Sequence, residues 1–229
     1  MILKAWDDLP EKIKKEEVRL YYEILIDRKA SLAMKRVFDI VVALTMLILL
    51  SPVFLVLAVA IKIDSNGPVF FRQLRVTQYG KEFKIYKFRT MVANAEKMGT
   101  QVTVENDNRI TKIGNFIRDY RLDEIPQLLN VLNGTMSFVG TRPEVSKYVK
   151  EYSPEMYATL LLPAGITSLA SIKYKDEAKL LSGAPDPDKI YVEKVLPEKM
   201  KYNLQAIKKF SFWGDVKLMF MTLRAVIEK

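Results

Sequence analysis

A long apolar run dominates the hydrophobic pattern in the first third of the chain. Residues 37–61, VFDIVVALTMLILLSPVFLVLAVAI, carry one charged residue, Asp39. A straight helix of this length would reach about 37 Å, more than the ~30 Å of hydrocarbon in a bilayer. The preceding residues 1–34 are mostly polar and no small-residue cleavage site follows, which is not the pattern of a signal peptide. The run predicts a membrane helix, with a buried helix of a soluble core as the alternative.

Ser51 and Pro52 lie near the middle of this run. A proline inside a helix lacks an N–H donor and clashes with the carbonyl four residues earlier, so the helix must bend there. A bent spanning helix and a re-entrant helix that returns to the face it entered both satisfy this pattern. Basic residues flank both ends, with Lys35 and Arg36 before the run and Lys62 after it. The positive-inside bias therefore gives no direction, which fits the re-entrant form.

Apolar residues also recur at helical spacing among the charges of residues 10–34. This pattern predicts an amphipathic helix that packs on a partner or lies on a bilayer surface. We therefore divide the chain into an N-terminal extension (1–34), a membrane helix (35–62) and a cytosolic domain (63–229). The C-terminal segment SFWGDVKLMFMTLRAVIEK has an apolar stripe, which is typical of a core helix or of an interfacial helix.

Two short segments after the membrane run predict a β-hairpin. They are PVFFRQLRV (68–76) and KEFKIYKFRTM (81–91), joined through Gly80. Alternation in the second segment places Lys87 and Arg89 on one face, about 7 Å apart at the exit of the strand. Two cations in this position either bind an anion or are solvated at a sheet edge.

Residues 121–130, RLDEIPQLLN, place Asp123 and Glu124 side by side ahead of a proline and an apolar run. Pro126 suits the first turn of a helix that begins near Asp123, and Gly134 suits the position after its end. Unpaired N–H groups at such a helix start would hold the carboxylates ionised. Simple helix capping is the alternative explanation for this pair.

Cations from three separated segments accompany the acidic pair: Lys87 and Arg89, Arg118 and Arg121, and Arg142. The residue after Arg142 is a proline, which favours an extended conformation of the arginine. If the fold brings these segments together, the cations and the adjacent carboxylates form a phosphate site that can also bind a hard metal.

Composition narrows the chemistry further. The 229 residues contain 36 Lys and Arg against 27 Asp and Glu, a formal net charge of +9 that suits an anionic partner: nucleic acid, anionic lipid or a phosphorylated substrate. The chain has no Cys and no His, which excludes disulfides, thiolate or imidazole zinc sites and Ser-His-Asp hydrolysis. Catalysis would use carboxylates, hydroxyls or amines, and a metal bound by oxygen ligands would be Mg²⁺ or Mn²⁺.

At this point the chain resembles a known family, the small monotopic phosphoglycosyl transferases. These are the bacterial sugar transferases known as undecaprenyl-phosphate sugar phosphotransferases. The motifs that carry the resemblance fall in order across about residues 35–170: KRVFDIVVAL, LLSPVF, GPVFFRQLRV, FKIYKFRTM and IRDYRLDEIPQLLNVLNGTMSFVGTRPE. The stretch LDEIPQL followed by NVLNGTMSFVGTRP is the most specific of them.

The resemblance implies an α+β, mostly helical, membrane-associated fold. A re-entrant helix broken at Ser51 and Pro52, a small β-hairpin and interfacial amphipathic helices would belong to it. The implied activity is transfer of a sugar 1-phosphate from a UDP-sugar to polyprenol (undecaprenyl) phosphate, with release of UMP and with Mg²⁺ as cofactor. This step would initiate polysaccharide, O-antigen or capsule-type glycoconjugate assembly at the cytoplasmic face of the bacterial inner membrane.

The resemblance also implies roles for single residues. Asp123 would be the nucleophile that forms an aspartyl phosphosugar intermediate, and Glu124 would assist as a metal ligand or acid–base partner. Phosphates would be contacted by Lys87, Arg118 and Arg142, to which we add Arg89 from its place on the strand.

The chain departs from the family pattern after the segment PAGIT. Ser168 stands where a glycine is common, and Lys173-Tyr174-Lys175 stands where an Asn-Gly-Arg element is common. Lys175 supplies the charge of that arginine without its planar two-pronged grip. These departures fall where the resemblance implies contacts to the nucleotide or the sugar.

Two other functions fit parts of the pattern. A non-catalytic membrane-anchored module could bind anionic lipid or another polyanion through its basic surface, and a soluble metal phosphohydrolase could release sugar phosphate into water. The cations are scattered between apolar segments without a compact basic stripe, which argues against nucleic acid. We expect a UDP-sugar, polyprenol phosphate and membrane lipids as partners; the sequence leaves the donor sugar and a homo-oligomeric state open.

Overall fold

The computed structural model describes residues 3–95, 107–174, 177, 180 and 186–227. As predicted, the fold is α+β and mostly helical. The α-helices of the described residues are α1 (Glu16–Ile26), α2 (Lys29–Leu49), α3 (Ser51–Asp64), α4 (Lys112–Asp119), α5 (Leu128–Leu132), α6 (Ser146–Val149), α7 (Leu169–Lys173), α8 (Pro187–Ile190), α9 (Leu196–Lys208) and α10 (Phe212–Ile227). The strands are β1 (Phe70–Val76), β2 (Glu82–Phe88), β3 (Met136–Val139) and β4 (Ala164–Thr167).

The long apolar run forms two helices. α2 ends at Leu49, α3 begins at Ser51, and the two are bent by 61° at this break. Pro52 lies in the first turn of α3, where its missing N–H removes no helical hydrogen bond. Within the described ranges, no single helix is long and apolar enough to cross a bilayer, whereas α2 and α3 together meet that test. The predicted break is confirmed, and the re-entrant topology stays a prediction.

α2 and α3 leave much of their apolar surface uncovered. Side chains that are more than half exposed are Val37, Val41, Ile48, Leu49, Leu55, Val56, Val59 and Ile63. The chain itself therefore does not bury this run as a soluble core helix would be buried. An apolar surface of this extent marks an interaction surface.

α1 has the predicted amphipathic character, and the chain itself covers its apolar face. Val18, Tyr21 and Leu25 are buried in the largest apolar cluster, where α1 packs on α9 and on the 3₁₀ helix Glu155–Leu161. The Tyr21 hydroxyl donates to the Glu155 carboxylate. Neither a partner nor a bilayer is needed to cover this face, because α9 offers a complementary apolar stripe nearly two hundred residues further along the chain.

β1 and β2 form the predicted antiparallel hairpin. Phe71 lies opposite Lys87, and Arg75 lies opposite Phe83. Directly opposed residues share a face of the hairpin. The face that buries Phe83 in the core therefore also carries Lys87 at one end and Arg75 at the other.

The second sheet was not predicted. β3 and β4 pair in parallel, with Ser137 opposite Gly165. The combination Pro163-Ala164-Gly165 is typical of a turn, but the structure places Ala164 and Gly165 in β4. A Cβ atom on Gly165 would lie 2.2 Å from the Gly140 nitrogen, so the glycine allows close backbone packing between the chain segments instead of a turn.

The start of α2 is bonded to the segments on either side of β3. The Arg36 guanidinium donates to the carbonyls of Val131 (2.6 Å) and Leu132 (2.9 Å) at the end of α5. The Lys35 ammonium donates to the Val139 carbonyl at the end of β3 (2.9 Å). The two basic residues ahead of the apolar run therefore fix α2 to the elements that follow the acidic pair.

Candidate active site

Asp123 and Glu124 lie in a six-residue 3₁₀ helix, Leu122–Gln127, that runs directly into α5. The prediction of one longer helix with Pro126 in its first turn was wrong, because Pro126 falls in the last turn of the 3₁₀ segment. Arg121, just before it, has φ +55°, a conformation that few non-glycine residues adopt. No side chain caps this helix start, so capping does not account for the acidic pair.

The fold brings Lys87 and Arg142 onto the two carboxylates. The Lys87 Nζ lies 2.9 Å from Glu124 Oε1 and 3.6 Å from Asp123 Oδ2. The Arg142 guanidinium holds Glu124 with two nitrogens, Nη2 at 2.5 Å from Oε1 and Nη1 at 3.4 Å from Oε2. The Arg142 side chain keeps 36% of its surface exposed, so a ligand can reach it from solvent.

Arg118 lies at the edge of this cluster, in the last turn of α4. Its Nε donates to the Thr90 hydroxyl at 3.0 Å, and its charge acts on the Asp123 carboxylate. All three predicted basic segments thus contribute one cation each: Lys87, Arg118 and Arg142.

Arg89 is directed to a different part of the molecule. Its guanidinium donates to the carbonyls of Ser65 (2.7 Å), Ile61 (3.4 Å) and Asn66 at the end of α3. The structure therefore does not bring Arg89 together with the acidic pair. The predicted contact Lys175 lies outside the described residues.

The two carboxylates differ in their electrostatics. Burial raises the pKa of Asp123, Lys87 opposes this effect and the Glu124 charge adds to it. Burial acts on Glu124 in the same direction, but Arg142 and Lys87 overcome it and hold the pKa of Glu124 well below its usual range. The net effect at Asp123 is a raised pKa, because desolvation and the Glu124 charge outweigh the opposing charges of the nearby cations.

The two carboxylates are therefore suited to different roles. Glu124 is tied to two cations and orients them, whereas the cation closest to Asp123 in the described structure is at 3.6 Å. A carboxylate whose ionised form is poorly stabilised is the more reactive of the two.

The donor set fits a divalent metal in one particular way. Mg²⁺ is usually held by one or two carboxylates, with substrate phosphates and waters as the remaining ligands. Asp123 can supply such a carboxylate oxygen, with Glu124 beside it. The described residues contain no group of three or more acidic side chains that could form an all-protein cage.

Two polar residues that the sequence analysis missed belong to the same region. The Arg75 Nη1 donates to the Pro143 carbonyl (3.1 Å), next to Arg142, while its Nε and Nη2 donate to Gln73 Oε1 (3.0 and 2.6 Å). Alternation along β1 puts Gln73 and Arg75 on one face, but the register with β2, which the pattern does not give, decides that this is the face of Lys87.

Adjacent carboxylates surrounded by cations from three segments have the charges and donors of a phosphate site. The model of the family described as "Bacterial sugar transferase" matches residues 30–229. The chain belongs to the bacterial sugar transferase family.

Curated relatives carry more specific names. The UDP-N-acetylgalactosamine-undecaprenyl-phosphate N-acetylgalactosaminephosphotransferase of Aeromonas hydrophila is 38% identical over 197 residues, 84% of this chain and 43% of that protein. The UDP-glucose:undecaprenyl-phosphate glucose-1-phosphate transferase of Escherichia coli (strain K12) is 40% identical over 195 residues, 83% of this chain and 39% of that protein. The undecaprenyl-phosphate galactose phosphotransferase of Salmonella typhimurium (strain LT2) is 32% identical over 217 residues, 88% of this chain and 42% of that protein.

The chain thus spans about two fifths of the length of these relatives. The sugar in their names differs from one relative to the next, while the undecaprenyl phosphate is common to all three.

Proposed function

We propose that this protein transfers a sugar 1-phosphate from a UDP-sugar to undecaprenyl (polyprenol) phosphate and releases UMP, the first step of a glycan assembly. The observation that carries the proposal is the cluster of Asp123 and Glu124 with Lys87 and Arg142, found in a member of the bacterial sugar transferase family. The names of the relatives supply the two substrates, and the geometry supplies residues suited to their phosphates.

The proposed chemistry has two displacements at one phosphorus. A carboxylate oxygen of Asp123 attacks the sugar-bearing phosphorus of the UDP-sugar; the bond from that phosphorus to the bridging oxygen breaks, and its electron pair leaves with UMP. A phosphate oxygen of polyprenol phosphate then attacks the same phosphorus, and the bond to Asp123 breaks. The product is a polyprenol diphosphate sugar, and the Asp123 carboxylate is restored.

The cations act on the oxygens of the transferring phosphoryl group. A carboxylate is a weak nucleophile toward an anionic phosphate, so the charge on that phosphate must be offset first. Arg142, which is partly exposed, and Lys87 are positioned for this by their bonds to Glu124. Arg118 adds a third positive charge at the edge of the site. Mg²⁺ held by Asp123, with help from Glu124 and the substrate phosphates, would offset further negative charge on the diphosphate.

We further propose that α2 and α3 insert into the cytoplasmic leaflet of the bacterial inner membrane as a re-entrant pair, and that α10 lies at its surface. The support is the bend at Ser51 and Pro52 and the exposed apolar side chains of α2 and α3. On α10, Trp213 is 73% exposed and Phe220 is 68% exposed. Aromatic side chains of this kind favour the boundary between headgroups and acyl chains.

Purified protein in detergent or nanodiscs tests the activity. We expect UMP release with one or a few members of a UDP-sugar panel, in the presence of undecaprenyl phosphate and Mg²⁺, and loss of that release with EDTA. With donor alone, intact-protein mass spectrometry should show one sugar-phosphate adduct, located on the peptide of Asp123.

Other outcomes of the same assay would point elsewhere. Free sugar phosphate without a lipid acceptor would indicate the phosphohydrolase. Absence of UMP with every donor, together with salt-sensitive binding to anionic vesicles, would indicate the anchored module.

The topology has a separate test. The chain has no native cysteine, so single cysteines placed at residues 31 and 66 report which side of the membrane each end of the α2–α3 pair faces. Both should be labelled from the cytoplasmic side. In a Pro52→Ala variant we expect the pair to straighten and the two ends to be labelled from opposite sides; the same labelling in both proteins would contradict the role of this proline.

A further inference from the structure

Arg75 is a mostly buried cation that the chemistry proposed above does not use. Its three hydrogen bonds within the described structure go to neutral oxygens, two to Gln73 Oε1 and one to the Pro143 carbonyl. None of the described carboxylates forms a salt bridge with it. Burying a charged group without an opposite charge is costly, so this arrangement calls for a partner.

The acidic residue whose charge acts most strongly on Arg75 is already engaged. Glu144 Oε1 accepts the Tyr191 hydroxyl at 2.5 Å and lies 3.8 Å from the Lys199 Nζ. Burial lowers the pKa of Arg75, the Glu144 charge opposes this effect and the Arg142 charge adds to it. Arg75 thus lies near a second cation, Arg142, and lacks, among the described residues, the carboxylate partner that Arg142 has in Glu124.

The position of Arg75 relates it to the site. It shares the hairpin face with Lys87 and lies four residue pairs from it, about 13 Å along the strand. Its contact with the Pro143 carbonyl brings it next to Arg142, which holds Glu124. Gln73 fixes the plane of the guanidinium through two bonds, and this leaves N–H donors of Nη1 and Nη2 for a further acceptor.

We propose that Arg75, oriented by Gln73, binds a phosphate oxyanion of a substrate next to Arg142. The favoured source is the phosphate of the donor that leaves in UMP, because one bridging oxygen joins it to the sugar-bearing phosphate proposed at Lys87 and Asp123. Arg142 connects the two places, since it bonds Glu124 and is followed by the carbonyl that accepts from Arg75. The phosphate of the polyprenol acceptor has the same chemistry and is the second source. The proposal rests on the proposed function of the site, which it extends by one binding residue.

Direct binding tests Arg75 without turnover. UMP and inorganic phosphate are titrated calorimetrically into the full chain and into Arg75→Gln, Arg75→Lys and Arg72→Gln variants. Arg72 is the matched control, because it lies on the same strand, is exposed on the opposite face and stacks over the Tyr86 ring at 4.8 Å.

For UMP we expect the Kd to rise about tenfold to a hundredfold in Arg75→Gln, by the usual worth of a charge-assisted hydrogen bond. The rise should be smaller in Arg75→Lys, which keeps the charge and loses the fork, and absent in Arg72→Gln. A folded Arg75→Lys variant keeps the test valid if Arg75→Gln does not fold. Kd values for UMP and for inorganic phosphate that are both equal in the wild type and the two Arg75 variants would overturn the proposal.

Half-reactions separate the two phosphates. If Arg75 holds the donor phosphate, Arg75→Lys slows the release of UMP in the absence of acceptor and leaves the discharge of a preformed adduct unchanged. If it holds the acceptor phosphate, UMP release without acceptor is normal and the discharge is slow; normal rates in both steps would overturn the proposal. A wild type that releases no UMP from any donor would remove the proposed function, while the UMP and phosphate titrations would still decide whether Arg75 binds a phosphate.

Discussion

Lys87 and Arg89 are two residues apart in the sequence, yet their side chains belong to different regions of the molecule. The Lys87 ammonium lies between two carboxylates, at 2.9 Å from Glu124 and 3.6 Å from Asp123. The Arg89 guanidinium donates to backbone carbonyls at the end of α3, including that of Ser65 at 2.7 Å. Lys87 keeps a fifth of its side chain exposed, whereas Arg89 is 6% exposed.

The two cations differ in the groups that accept their hydrogen bonds. β2 ends at Phe88, and the Arg89 side chain just beyond it reaches the carbonyls at the C-terminal end of α3. Those carbonyls accept from both terminal nitrogens of the Arg89 guanidinium, while its buried Nε has no hydrogen-bond partner among the described residues. Carboxylates that are themselves buried hold Lys87, and an incoming phosphate can replace part of that interaction. Anion binding therefore depends on the partner of a cation rather than on its position in a motif.

The largest expected effect concerns Asp123. Asp123→Asn should lower the rate of UMP release by about a thousandfold or more, because no nucleophile remains. The same change should raise the melting temperature, since it removes a carboxylate whose ionised form burial disfavours. UMP release and thermal unfolding measure the two effects. Full activity in this variant would exclude Asp123 as the nucleophile, and a lower melting temperature would contradict its environment as described.

Substitutions of Lys87 and of Arg89 should affect different properties of the protein. Lys87→Met should lower turnover by about a hundredfold, because a charge next to the reacting phosphate is lost. Arg89→Met should chiefly lower the free energy of unfolding, by about 2–4 kcal/mol, because several carbonyls lose their donor in a buried setting. Denaturant unfolding and UMP release are measured on both. Weaker substrate binding in Arg89→Met at unchanged stability would restore the phosphate role that the sequence had indicated.

Glu124→Gln should destabilise the protein by about 1–3 kcal/mol at neutral pH, since Lys87 and Arg142 lose their charged partner. The folded-state pKa of Glu124 is depressed, so its contribution is complete above its unfolded pKa and is lost as the pH falls through its folded pKa. Unfolding curves of wild type and variant should therefore converge on acidification. A constant difference at every pH would show that packing, and not charge, causes the effect.

Asp123 has the opposite pH dependence. Its folded-state pKa is raised, so ionisation costs stability as the pH rises through that pKa, and protonation relieves the cost. The stability advantage of Asp123→Asn should thus be complete above the raised pKa and vanish below the unfolded one. Turnover of the wild type should fall as the pH drops through the raised pKa, because the attacking oxygen must be ionised. A rate that stays constant into the acid range would contradict this assignment.

The smallest effect concerns Gly67, which borders the Arg89 region. Gly67 has φ +130°, and a Cβ atom there would lie 2.2 Å from the Arg89 Nη1. Gly67→Ala should cost about 1–2 kcal/mol. The double variant with Arg89→Met should be less destabilised than the sum of the two single variants, since the clash disappears with the guanidinium. If the two changes in unfolding free energy simply add, the cost of Gly67→Ala arises from its positive φ and not from a clash with Arg89. Gly80 is the control, because a Cβ atom there meets nothing within 4 Å.

The elements that the pattern predicted correctly depend on neighbours along the chain. Alternation gave the β1–β2 hairpin, and Pro52 gave the break between α2 and α3, since a proline acts on the turn that contains it. Errors arose where distant segments intervene. Gly165 packs on Gly140, and α1 is covered by α9, neither of which can be recognised from local periodicity.

By itself, the sequence determined the type of chemistry. Without His or Cys, with an acidic pair and with basic residues in separate segments, it limited the site to carboxylates, cations and an oxygen-bound metal, because side-chain identity fixes which groups can react. The tertiary structure decided which of these groups meet. It placed Lys87 and Arg142 on Glu124, sent Arg89 to the end of α3 and brought Arg75 beside Arg142. It also separated the two pKa values, because desolvation and charge pairing depend on residues that only folding brings within a few ångströms.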